Sequence, residues 1–398
     1  MSRFPTIIAT QPEWKSALDT FGASMRGSPS LPILGCILIQ HQDPERGLIL
    51  TRTDRERQLR VDMTGRMGVE GIGEFAIDAR KLTQIIAALP VAAEVRLQQS
   101  AVGRVTLTAS LNGRHLARYQ LSALDGIDFP LMDGRPDPAA GGSQPVRLTM
   151  PGKRLARQIG CVEFAMATQD VRYYLNGLLL EWRGTSLNLV ATNGHCLAAI
   201  AMQAGIEGGD GAAILPRDTA HMLQRLALEA GNADLSLEVN GRLLRVAHGG
   251  VELISKLIDG RFPEWRRVVP PGPFTARWTL PVEDLTHALG RVRILAHDKY
   301  HGVRVECLAP DLDRILLRAV NQVEDEAEEA LELEEPSAAP VEIGMNIDYL
   351  QGALGACPTP TITLHLTDGT SAAKLTPGEV TADEWQDDPE WVVMPMLL

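Results

Sequence analysis

The sequence is poor in aromatic residues, which fill 5% of its 398 positions, and it has only five cysteines. Cys36, Cys161, Cys196, Cys307 and Cys357 are scattered, odd in number and form no Cys-x-x-Cys pair. That argues against a disulfide framework or a thiolate zinc site and for a reducing cytoplasm. No window supplies the ~18 uninterrupted apolar residues of a membrane span. The opening MSRFPTIIATQPEWK has a short apolar run and no clear cleavage site, so no signal peptide is expected. Short catalytic motifs are missing as well. There is no HExxH, no GxSxG and no GxxxxGK[ST] phosphate loop, so the chain is not expected to hydrolyse ATP. His297 and His301 form one HxxxH, but they fall where a turn feeds a strand and no cysteine is near. Two solvated loop histidines are expected there, with no metal and no cofactor.

An excess of basic residues is also absent. The net charge of −12 speaks at first against a nucleic-acid binder. Eight of the acids lie in one run, Glu324 to Glu335, and without them the balance is −4. A local basic surface matters more for nucleic acid than the total.

What is present is a repeat. Trp14, Leu18 and Phe21, then Leu155, Ile159 and Val162, then Leu285, Leu289 and Val292 are each spaced i, i+4, i+7, one face of an amphipathic helix. Each triplet is followed by a Gly- or Pro-containing turn and a β-rich apolar run (SPSLPILGCILIQ, QDVRYYLNGLLLEW, HDKYHGVRVECL). Then LILTRTDRERQLRVDM, LNLVATNGHCLAAIAM and ILLRAVNQVEDEAEEAL read strand, polar turn, strand, with turn residues Asp54, Asn193 and Asn321 lying 139 and 128 positions apart. A further strand and second helix follow in FAIDARKLTQIIAAL, AAILPRDTAHMLQRL and VEIGMNIDYLQGAL, and alternating strands close each unit. The pattern predicts an α+β fold of three similar domains, each with two helices on antiparallel sheet. GRPDPAAGGSQP and PPGP read as linkers and set boundaries at 1–143, 144–273 and 274–398.

One face of each helix must cover its sheet, which leaves the other for bases. Lys15, Lys81, Lys153, Arg154, Arg157, Arg217, Arg225 and Arg291 fall on that other face, and the helix around Lys153 carries three bases and no acid. The acidic run falls on a strand of the third unit. A basic helix-lined face and an acidic sheet-lined face are the expectation.

The segments SPSLPILG, QDVRYYLNG, VATNGHCLA, SKLIDGRFPEWRRVVP and the terminal VVMPM, in this order on a threefold repeat, resemble the bacterial DNA polymerase III beta subunit family, the sliding clamps. The resemblance covers nearly the whole chain. It implies a clamp fold in which two chains close head to tail into a ring of six domains, helices inside and sheets outside. It implies a processivity factor, not an enzyme: a homodimer that encircles double-stranded DNA without sequence preference and tethers DNA polymerase III, the clamp loader and other proteins carrying clamp-binding motifs. Gln169 matches a family DNA-contacting position. The family carries a base just before Pro-x-Leu-Pro where this chain has Ser28, and Arg26 is the nearby substitute. The dimer contact is expected from Tyr119 and Leu121 in the first domain and Ile294 and Leu295 in the third.

The resemblance also implies a cleft that receives partner peptides. Its wall here is Leu175, Thr192, Gly194, His195, Leu197, Pro263, Arg267, Val268, Tyr300, Asn346, Tyr349, Val392, Met394, Pro395 and Met396. Such grooves want apolar pockets with a few polar anchors, and methionine adapts to varied partners. Two positions depart from the family pattern: Cys196 and Leu397 stand where arginine is usual, which makes the groove more apolar and suits a divergent or accessory member. Two other readings stand beside the clamp. One is a monomeric peptide-binding scaffold that has lost ring closure. The other is an enzyme using His195 and Cys196, but adjacent strand residues face opposite sides, so the pair makes no dyad.

Overall fold

A computed structural model describes residues 5–22, 25, 30–42, 47–133, 145–379 and 387–397. Arg26, Ser28 and most of the linker at 134–145 lie outside the described residues. The chain divides into two compact units, Met1–Pro145 with Leu235–Lys256, and Val146–Asp234 with Leu257–Leu398.

In the first unit, α1 (Gln11–Phe21) buries Trp14, Leu18 and Phe21, and α2 (Ala79–Ala88) buries Leu82 and Ile86. The Asp78 carboxylate caps α2 by accepting the Lys81 N–H at 2.8 Å. The two helices pack on each other, and the buried Gln11 amide donates to the Ile86 carbonyl at 3.0 Å. The strands of this unit form one antiparallel succession. Within it, Val251–Lys256, which belongs to the second sequence repeat, pairs with Arg57–Asp62 of the first. That is why residues 235–256 join this unit.

The second unit holds the remaining helices. α3 (Gly152–Val162) packs on α4 (Arg217–Ala230), and α5 (Val282–Val292) packs on α6 (Ile347–Ala356). Gly152 lies so near the end of α4 that a β-carbon there would meet the Ala227 carbonyl at 2.5 Å. Leu155, Ile159, Val162, Leu285, Leu289 and Val292 are all buried. Each such side chain contributes about 1.5–3 kcal/mol, so the apolar triplets hold the helices down. One antiparallel sheet of eight strands runs through both repeats of this unit. Its hinge is the pairing of Cys196–Gln203 with the C-terminal strand Glu390–Val393, in the register Cys196 opposite Val393 and Leu197 opposite Val392. A second sheet of four strands carries the acidic strand Glu326–Glu332 on its edge.

The three turn residues do the same work in each repeat. Asp54 Oδ1 accepts the N–H groups of Glu56 and Arg57 at 2.9 and 2.6 Å. Asn193 Oδ1 accepts those of His195 and Cys196 at 2.8 and 2.9 Å. Asn321 Oδ1 accepts those of Val323 and Asp325 at 3.0 and 2.9 Å. Each is an Asx-type turn, which a short side-chain oxygen closes and a longer one does not.

Candidate functional site

The site grows from the middle of these turns. Thr192 ends the strand Ser186–Thr192; its hydroxyl donates to the Cys196 carbonyl at 2.6 Å and accepts the Gly194 N–H at 3.1 Å. Gly194 has φ +89°, a backbone conformation that favours glycine, and a β-carbon there would lie 2.8 Å from the Arg172 guanidinium. Arg172 donates to the Asn193 carbonyl at 3.0 Å and grips Asp170 at 2.7 and 3.0 Å. Those hydrogen bonds hold the Asp170 carboxyl down at about 2. The loop at 170–172 is thereby tied to the turn at Asn193.

Beneath lies an apolar floor. Leu175, Leu179, Val190, Leu197, Phe262, Trp265 and Val392 belong to one buried cluster. Trp265 sits in a short 3-10 turn (Trp265–Arg267), and the Arg266 guanidinium lies 4.2 Å above its ring while pairing with Glu181 at 2.6 Å. The C-terminal segment closes the side. After Val393 the chain leaves the sheet, and the Met394 N–H donates to the His195 carbonyl at 2.9 Å. The result is a cavity of about 120 Å³ lined by Arg172, Leu175, Thr192, Gly194, His195, Cys196, Leu197, Pro263, Trp265, Val268, Val392 and Met394.

Nine of the expected wall residues therefore meet in one cavity. The others are placed differently. Tyr300 and Met396 line a second cavity of about 480 Å³ with Arg304, Arg318 and Leu397. Tyr349 stacks on His195, rings 6.3 Å apart and nearly parallel. Asn346 caps α6 and donates to the Tyr300 carbonyl at 2.9 Å. Met396 donates its N–H to the Gly344 carbonyl at 2.9 Å, with Pro395 between it and Met394. Arg267 is exposed in the 3-10 turn and does not line either cavity. The expected wall residues thus line two pockets, with Tyr349 stacked on His195 of the smaller one. The sequence reading missed Arg172 and Trp265; both sit inside segments that carried the resemblance, but nothing in their pattern marked them as lining.

Chemically the smaller pocket suits apolar side chains and a few backbone partners. Cys196 is buried and its thiol is pushed up to about 12 by that burial, while His195 is exposed. Burial of this kind disfavours the thiolate, the reactive form of a cysteine. His301 Nδ1 faces Asp348 at 2.5 Å, whereas His297 accepts the Lys299 N–H at 3.1 Å. Among the described residues no group of three or more metal-donor side chains comes together.

The helix bases fall into two sets. Lys81, Lys153, Arg157 and Arg225 are exposed, as is Gln169, which has φ +56°. Lys15 is exposed but pairs with Asp19 on its own helix. Three further helix bases are engaged within the chain. Arg217 donates to the Met166 carbonyl at 2.7 Å. Arg154 is held by Asp387, which raises its pKa. Arg291 reaches Glu329 at 2.6 and 2.8 Å, on the acidic strand itself, because α5 packs against that strand. Of the expected dimer residues, Tyr119 and Leu121 are partly buried on the strand Arg114–Asp125, Leu295 is partly buried, and Ile294 is 78% exposed.

Family models of the DNA polymerase III beta subunit match along almost all of this architecture: the N-terminal domain over residues 16–133, the central domain over 149–264 and the C-terminal domain over 266–396. The chain belongs to the DNA polymerase III beta subunit family. It is 34% identical over 381 residues to the beta sliding clamp of Escherichia coli (strain K12), covering 96% of each chain. To that of Pseudomonas aeruginosa it is 35% identical over 378 residues, with 93% of each covered. Among solved structures, a Pseudomonas aeruginosa DnaN sliding clamp bound to griselimycin superposes with a TM-score of 0.87 at 30% identity, over 99% of this chain and 100% of that one. The C. crescentus beta sliding clamp superposes with a TM-score of 0.85 at 26% identity, over 100% of both chains. Among the described residues of this chain, no helix is long and apolar enough to cross a membrane.

Proposed function

We propose that the chain works as a sliding clamp in the cytoplasm, on chromosomal DNA. Two copies close into a ring around duplex DNA and carry the replicative polymerase and other partners by the pocket around Leu197. The observation that carries this reading is the threefold repeat of paired helices and antiparallel strands over the whole chain, each repeat matched by one domain of the clamp family.

The chemistry supports it in three ways. Lys153 and Arg157 stand exposed on α3, a helix with no acid, and Lys81, Arg225 and Gln169 add to the DNA-facing set. Scattered bases of this kind attract phosphates without reading bases, as sliding requires. Two sheet edges are open: residues 114–122 pair on one side only among the described residues, and so does Glu326–Glu332. The first edge carries exposed Arg114 and Arg118 and the second exposed Glu326, Glu328 and Glu332. Open edges of opposite charge on two copies add to one continuous sheet, and a head-to-tail contact that closes gives a ring. The apolar pocket with its methionine wall suits short linear motifs of varied sequence.

Retention on circular DNA tests the reading. Clamps loaded onto a nicked circle should stay bound in salt that abolishes binding to short linear duplex, and should leave when the circle is cut. Equal loss from circular and linearised DNA at the same salt would refute encirclement.

A further inference from the structure

α3 presents three groups at i, i+4 and i+7 on one face: the Arg154 guanidinium, the Gln158 amide and the Cys161 carbonyl. All three are taken by one short segment near the end of the chain. Asp387 Oδ2 accepts the Arg154 Nε–H at 2.7 Å, and Oδ1 accepts from Nη2 of the same guanidinium. The Gln158 amide donates to the same carboxylate. Asp387 is only 7% exposed. Four residues further on, the fully buried Trp391 indole donates to the Cys161 carbonyl at 2.9 Å, satisfying one of the carbonyls that the last turn of a helix leaves unpaired. Gln158 Oε1 is buried with no hydrogen-bond partner, and turning the amide over would set that oxygen against the carboxylate. The next residue after this staple is Val392, followed two positions later by Met394, and both line the smaller pocket.

We propose that Arg154 is a positioning residue of the peptide pocket and not one of the DNA-facing bases: through Asp387 it fixes the strand Glu390–Val393, and so the wall made by Val392 and Met394. This rests on reading the pocket as the partner groove. A guanidinium bound side-on, through Nε and Nη2, to a buried carboxylate adds almost no net charge to the field that phosphates feel. Without it the Asp387 carboxylate is buried and uncompensated, and the nearest relief is for the segment at 387 to move toward water. The strand that follows, tied to α3 again at Trp391, then shifts beside the pocket. Lys153 and Arg157, on the exposed side of the same helix, make the comparison set.

The test uses the full-length protein and griselimycin, the molecule bound in solved relatives, as probe. Four variants are titrated with it: Arg154→Ala, Asp387→Asn, Lys153→Ala with Arg157→Ala, and a truncation lacking residues 394–398. Hydrogen exchange at residues 390–394 and the salt slope of binding to linear duplex are measured alongside. Arg154→Ala and Asp387→Asn should weaken the probe about tenfold and speed exchange across 390–394, with the salt slope unchanged. The Lys153 and Arg157 pair should flatten the salt slope by up to about two and leave the probe untouched. Replacing both partners by apolar residues, Arg154→Met with Asp387→Leu, should restore probe affinity to within about threefold of the parent, which a general loss of fold would not allow. A wild type that ignores the probe, or a truncation that binds it normally, sinks the groove reading and this inference with it. A probe-binding wild type, a non-binding truncation and an Arg154→Ala variant that binds like the parent but has a flatter salt slope overturns the inference alone.

Discussion

At the scale of single residues, burial decides which ionisable groups report on the fold. His365, on the strand Thr361–Leu366, sets Nε2 against the Thr376 hydroxyl at 2.9 Å, while its buried Nδ1 has no partner. Burial first, then Arg277 and Lys374, bring its pKa down from 6.5 to about 4. The unfolded chain binds this proton near pH 6.5 and the folded one only near pH 4, so between those values the unfolded state holds more protons. Stability should fall as pH drops through that window and level off below it. Asp170 does not confuse the measurement, because its own window lies between 3.8 and about 2. In His365→Gln, which keeps a partner for Thr376, the fall in Tm between pH 6.5 and 4.5 should be visibly shallower in a calorimetric scan; parallel profiles would mean that His365 is not the group responsible. The sequence shows cations on helices but not their partners. Arg154 and Arg291 are bound by acids 233 and 38 positions away, and no local pattern carries that information. Strand alternation misled at Cys196: His195 lies in the turn before the strand Cys196–Gln203, and both residues line the smaller pocket.

At the scale of elements, the apolar triplets and the polar turns were readable because both are local. A spacing of i, i+4, i+7 defines a helix face, and Asp or Asn at the turn supplies the oxygen that closes it. The pocket was readable only in part. Its halves come from the second repeat and from the last strand of the chain, and their register, Leu197 opposite Val392, is a pairing across 195 positions that periodicity does not encode. Nine of the residues that the resemblance named line the smaller pocket, and Tyr349 stacks on His195 at its wall. That stack depends on one cap. Asn346 Oδ1 accepts the N–H groups of Asp348 and Tyr349 at 2.8 and 3.2 Å, while its amide holds the Tyr300 carbonyl. Asn346→Ala should cost about 1 kcal/mol, typical of losing an N-cap, read as a lower urea midpoint at unchanged slope. It should also weaken griselimycin binding, because Tyr349 no longer has a fixed place beside His195. Loss of stability with full probe affinity would show that the stack lies outside the bound surface.

At the scale of the whole molecule, three like domains in one chain were plain from the repeat, and a dimer follows from closure: a head-to-tail contact between copies either polymerises or meets itself. Which surfaces meet was implied by the resemblance and not by the repeat, because an open edge is defined by pairings that fail to form. The two open edges carry opposite charge, and open strands left bare invite association with anything extended. Their charges also favour one register, since Glu328 and Glu332 share the four-residue spacing of Arg114 and Arg118, and a one-residue slip would offer Ala327 and Leu331, or Glu329 and Leu333, instead. Apolar contact supplies the strength. Ile294 is 78% exposed, an unusual exposure for isoleucine that burial against Tyr119 and Leu121 of another copy would relieve at about 1.5–3 kcal/mol per side chain. Leu121→Asp and Ile294→Asp should therefore each give monomers in sedimentation at micromolar concentration, with Tm little changed because neither side chain is fully buried in its own chain. The monomers should still bind griselimycin, since the pocket uses other residues, and should be lost from nicked circles as readily as from linear DNA. A variant that stays dimeric at low concentration would place the contact elsewhere. A monomer that still persisted on circles in high salt would separate DNA retention from ring closure and leave the peptide scaffold as the better account of the fold.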